Sequence, residues 1–138
     1  MKKLLVLSVE VFCLLFLMSC RKEQGFVYNN LKGTWEIHKS YGWPESKFYE
    51  SGNGNKIEFV DNRTVNRYVD NKIVSTTNYR ISKYKGDCDY AKDDWSIHFS
   101  DRLPVGLPSI TVKGDTLILS GPPCWQDVGT NYYLRVKE

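Results

Sequence analysis

From Leu31 to Lys137 the apolar residues recur at every second position in short runs: Ile57/Phe59, Trp95/Ile97/Phe99, Ile110/Val112, Leu117/Leu119 and Tyr132/Leu134/Val136. A period of two turns successive side chains to opposite faces of a strand, so each run predicts one dry face and one wet face. The runs predict eight strands, near Gly33 to Tyr41, Lys56 to Val60, Thr64 to Val69, Ile73 to Tyr84, Asp94 to Ser100, Ser109 to Lys113, Thr116 to Ser120 and Asn131 to Val136. No amphipathic helical period follows Cys20, and the class expected is all-β. Asp61-Asn62, Asp70-Asn71 and Gly114-Asp115 fall between strands. These residue types tolerate the positive φ of tight hairpins, so the neighbours form an antiparallel meander. Closing the meander into an up-and-down β-barrel removes its edges, and eight strands enclose an interior that is filled by side chains or holds one small ligand.

The N-terminus follows another pattern. Lys2 and Lys3 precede an apolar stretch from Leu4 to Met18 that is interrupted by Glu10 and ends at Ser19-Cys20. Spanning hydrocarbon takes about 20 apolar residues. A stretch of 15 positions broken by a carboxylate fits an export signal better than a retained anchor. Leu17-Met18-Ser19-Cys20 resembles the lipobox of bacterial lipoprotein precursors. The resemblance implies cleavage before Cys20 and acylation of that cysteine on its thiol and its amine; ordinary cleaved secretion is the alternative. Each buried methylene adds about 0.8 kcal/mol to membrane attachment, so two or three chains hold stably where one does not. Arg21, standing where an Asp would signal retention, implies outer-membrane sorting in the resembled pathway and leaves the membrane face open. Residues 1–19 are then the signal peptide and residues 20–30 the lipidated cysteine with a polar tether of at most ~33 Å. Residues 31–138 are the barrel.

Charge narrows the partners. The chain has 19 Lys and Arg against 16 Asp and Glu, a net charge of +3. Loss of Lys2, Lys3 and Glu10 with the signal leaves 17 against 15, with both signs interspersed. That balance opposes a nucleic-acid role. The basic stretch Arg80 to Lys85 runs straight into Asp87 and Asp89 and reads as a solvated strand face. The 119 residues that remain are enough for one modest core.

Leu31-Lys32-Gly33-Thr34-Trp35-Glu36-Ile37 resembles the Gly-x-Trp first strand of the lipocalins. Ile57 to Asn62, the Gly-Asp-Thr-Leu hairpin at 114–117 and a Tyr-rich last strand bearing Arg135 extend the resemblance to bacterial lipocalin-like lipoproteins, over roughly Leu31 to Lys137. It implies that Trp35, reached through Gly33, plugs the closed end of the barrel with Arg135 packed on its ring. The open end then collects the loops Gly42 to Asn55, Asp70 to Lys72, Asp101 to Pro108 and Gly121 to Thr130. These carry Trp43, Phe48, Tyr49, Leu103, Val105, Leu107 and Trp125. Such apolar loops form either the mouth of a ligand pocket or partner patch, or a lid over the core.

Cys13 leaves with the signal and Cys20 is lipidated, so Cys88 and Cys124 remain as a pair that export would oxidise. A disulfide between them is expected, closing a loop of about 37 residues and contributing up to ~3.8 kcal/mol by chain entropy. The meander sets against this, because three strands between the cysteines place their loops at opposite ends. A bridge needs Cα atoms about 4.4–6.8 Å apart.

Catalytic chemistry finds little footing. His38 and His98 lie on polar strand phases, and a metal site would need both to converge with a carboxylate such as Glu36. Asp87, Asp89, Asp93 and Asp94 crowd one loop without the spacing of a calcium-binding loop. No nucleophile elbow, phosphate loop or His-Glu-x-x-His helix is present in the sequence. The expectation is a monomeric, non-enzymatic, lipid-anchored barrel with no cofactor or metal. It would bind a small apolar ligand or, alternatively, act as an inhibitor or accessory subunit of an envelope complex through its aromatic loops.

Overall fold

The computed structural model describes residues 23–42, 45–84, 94–101, 108–121 and 129–137. The chain divides into two compact units, residues 1–30 and 31–138. Residues 23–31 are helical, which corrects the expectation of an irregular tether. Val27 and Leu31 share a helix face at a spacing of four, too short a pattern to register as a period. Asn30 Nδ2 closes the last turn on Phe26 O at 2.9 Å. Among the described residues no helix is long and apolar enough to cross a membrane.

Residues 31–138 contain one antiparallel sheet, made among the described residues of β1 (Gly33–Tyr41), β2 (Lys47–Phe48), β3 (Lys56–Phe59), β4 (Thr64–Val69), β5 (Lys72–Lys83), β6 (Trp95–Phe99), β7 (Ser109–Lys113), β8 (Thr116–Ser120) and β9 (Thr130–Arg135). Sequential neighbours pair from β3 onward, and β1 pairs with both β3 and β9. That last pairing closes an eight-stranded up-and-down barrel. The two-residue β2, absent from the sequence reading, lies on the free upper part of β1 through Lys39↔Phe48 and Ser40↔Lys47.

The turns explain the registers. Asp70 and Asn71 have φ of 49° and 62°, and Val69 pairs with Lys72, so β4 and β5 meet in a two-residue turn of the type I′ kind. Gly114 alone takes positive φ between Lys113 and Thr116, the pattern of a type II′ turn. Asp61 Oδ1 accepts the backbone N–H groups of Arg63 and Thr64 at 2.7 and 2.6 Å, turning β3 into β4.

The core occupies the half of the barrel nearest Trp35. Trp35, Phe59, Val65, Ile97 and Leu117 are fully buried, with Ile57, Tyr79, Ile81, Phe99 and Ile110 nearly so. Phe59 and Tyr79 pack edge to face at 5.0 Å, and Tyr79 OH donates to Asp61 O at 2.7 Å. On β9 the expected dry face is inverted. Leu134 is exposed, while Tyr133 pairs with buried Leu117 and Arg135 with buried Trp35. The register of the closing pair decides the phase, because Arg135 must face inward to lie on Trp35.

Candidate functional site

Ahead of β1, two backbone carbonyls are met by side chains of the barrel. Trp35 Nε1 donates to Leu31 O at 2.7 Å in a buried bond, and Arg135 Nη1 donates to Lys32 O at 2.9 Å. Arg135 Cζ lies 4.0 Å above the Trp35 ring, and its Nε faces Asp115 Oδ1 at 3.8 Å. Gly33 has φ of 120°, and a Cβ there would stand 3.0 Å from Arg135 Nη1. Only glycine fits both the backbone and the guanidinium. These contacts seal this end rather than make a site.

Toward the other end the inward phase turns small and polar. Ser40 and Asn131 face each other across β1 and β9 with a 2.7 Å hydrogen bond, and Ser75 stands opposite Arg67. An open pocket of about 380 Å³ is lined by Ile37, Ile57, Arg67 and Tyr133 of the inward phase, by Lys47, Tyr49, Asn55, Val69 and Val74, and by Lys56 and Tyr68 of the outer phase. A second cavity of about 180 Å³ is lined by Phe99, Pro108, Leu119, Ser120, Gly121, Gly129 and Asn131 together with the same Ile57, Arg67 and Tyr133. The two spaces therefore adjoin across those three residues.

Arg67 is the chemically distinctive member. It pairs across the sheet with buried Ile57 and lies two positions from buried Val65, so it is on the inward phase of β4. Its side chain is 20% exposed, its Cζ sits 4.7 Å from the centre of the Phe99 ring, and its Nη1 donates to Asp101 Oδ2 at 2.5 Å. Nη2 is buried with no hydrogen-bond partner among the described residues. A buried donor left unsatisfied costs about 1–3 kcal/mol, more when charged.

No family model, curated protein or solved structure matches this chain. Its candidate site therefore rests on this geometry.

Of the residues singled out in the sequence, Tyr49 lines the larger cavity and Phe48 is 67% exposed on β2. Trp43, Leu103, Val105, Leu107 and Trp125, and the cysteines Cys20, Cys88 and Cys124, lie outside the described residues. Arg67 was missed. The signal was available in Val65-Asn66-Arg67-Tyr68-Val69, where a cation occupies the apolar phase of a strand.

The candidate metal residues are apart. β1 and β6, which carry His38 and His98, stand four strands from each other either way round the barrel. Glu36 is committed to the β2–β3 loop, accepting Gly52 N at 2.7 Å and Gly54 N at 3.0 Å. Among the described residues no three His, Cys, Asp or Glu side chains gather as metal ligands. On the outer face Glu58 Oε2 accepts Tyr68 OH at 2.5 Å and Asn66 Nδ2 at 3.0 Å. Those bonds, Tyr68's first, hold the Glu58 carboxyl below its ordinary value, and the same contact raises the Tyr68 phenol.

Proposed function

We propose that this protein is a lipid-anchored lipoprotein of the bacterial envelope, of lipocalin type, whose barrel carries a small molecule with an apolar body and performs no catalysis. The observation that carries the reading is an open pocket of about 380 Å³ that reaches the inward-facing Ile57, Arg67 and Tyr133. It falls in the range of about 300–1,000 Å³ typical of small-molecule sites. Ile57, Tyr133 and Ile37 supply apolar wall, and Asn55 and Arg67 supply polar groups to orient a guest. The sequence Leu17-Met18-Ser19-Cys20 supports acylation at Cys20, and Arg21 supports an outer-membrane destination.

A second reading has one observation in its favour. Phe48 on β2 and Ile73 beside the tip of the β4–β5 hairpin are 67% and 56% exposed and line neither space, an apolar rim that an envelope protein could cover. Native mass spectrometry of the full chain extracted from its own membrane separates the two. The ligand-carrier reading predicts a co-purifying small molecule, released on denaturation. A clean apo mass would contradict it and favour the protein-facing module.

A further inference from the structure

We infer that the guest of this barrel carries a carboxylate, held by Arg67 at the junction of the two cavities; the inference rests on the ligand-carrier reading and specifies its chemistry. Three observations converge. Arg67 Nη2 is buried and has no acceptor among the described residues, while Nη1 is already satisfied by Asp101. The same residue lines both cavities, so a molecule in either space meets it. No Asp or Glu is among the described residues lining either space, whereas Lys47 and Lys56 join Arg67 around the larger one.

The chemistry selects the anion. A guanidinium inside a barrel is poorly hydrated, and its planar fork suits an oxyanion better than a neutral polar group. One free donor nitrogen, next to the negative Asp101, suits the single charge of a carboxylate rather than the two charges of a phosphate monoester. With its acid end on Nη2, the guest would lay its apolar body against Ile57 and Tyr133. Asp101 would act as a brake, drawing on the same guanidinium that the guest needs.

The test is isothermal calorimetry on the full chain in nanodiscs of zwitterionic lipid, with empty discs subtracted. Its probes are naphthalene-2-carboxylate, the isosteric naphthalene-2-carboxamide and 2-naphthyl phosphate. The acid should bind roughly 10- to 100-fold more tightly than the amide, the ratio expected of a buried charge-assisted bond. Arg67→Met should erase that ratio, and Asp101→Asn should tighten the acid while leaving the amide unchanged. The Asp101→Asn variant keeps the test decisive if Arg67→Met fails to fold. Equal affinity for acid and amide in the unaltered protein would overturn the carboxylate assignment and leave the ligand-carrier reading standing. Tighter binding of the phosphate would also overturn it, and binding of none of the three would count against both.

Discussion

Arg67 and Arg135 both sit on the inward phase of their strands, yet their surroundings differ. Arg135 is spent on structure: one nitrogen on Lys32 O, another facing Asp115, and its plane over Trp35. Arg67 keeps one buried nitrogen without an acceptor among the described residues, the condition under which a guest restores a lost hydrogen bond. On the outer face, Glu58 and Tyr68 make a pH-dependent contact. Because the Glu58 pKa is lowered from 4.5 in the fold, its contribution is fully present above that value and is lost as pH falls through the folded pKa. The Tyr68 pKa is raised from 10.0, so the phenol's contribution is present below that value and is lost as pH rises through its folded pKa. Tyr68→Phe should therefore lower stability by about 0.5–1 kcal/mol near neutrality, allowing for solvent exposure. In denaturant titrations across pH the gap to the parent should narrow at both extremes. A gap independent of pH would show that the phenol contributes through packing alone.

At the scale of elements, the closed end shows what holds the barrel to one register. Trp35 Nε1 satisfies Leu31 O in a buried bond while the indole fills the base of the core. Trp35→Phe keeps an aromatic ring under Arg135 but leaves that carbonyl without its donor and a void beside it. The expected loss is about 2–4 kcal/mol in urea unfolding. A loss under ~0.5 kcal/mol would mean that the carbonyl is not buried as described. Strands were legible in the sequence wherever one face is uniformly apolar, as in β6 and β8, and turns wherever Asn, Asp or Gly supply positive φ, as at Asp70-Asn71. Two features escaped the same reading. In β9 three tyrosine and leucine side chains lie on both phases, so hydrophobicity cannot choose the inward one and pairing with β1 does. The helix over residues 23–31 offers less than three turns of pattern, and β2 is only two residues long.

For the whole molecule, the division of the interior into a filled half and an open half follows from side-chain size. Trp35, Phe59, Tyr79 and Leu117 are buried in the filled part, and Ser120, Gly121, Gly129 and Asn131 line the smaller open space. The barrel itself could be read from periodicity. The cavity could not, because it depends on which small residues share a level across strands that are far apart in sequence. The proposed ligand site is this space and not the exposed rim. The most direct measurement is an amide and methyl NMR titration of the full chain in nanodiscs with naphthalene-2-carboxylate. Binding inside the barrel predicts saturable shifts at Ile57, Arg67, Leu119 and Tyr133, with the exposed Phe48 and Ile73, which line neither space, unmoved. Shifts confined to those rim residues, with the interior silent, would contradict it.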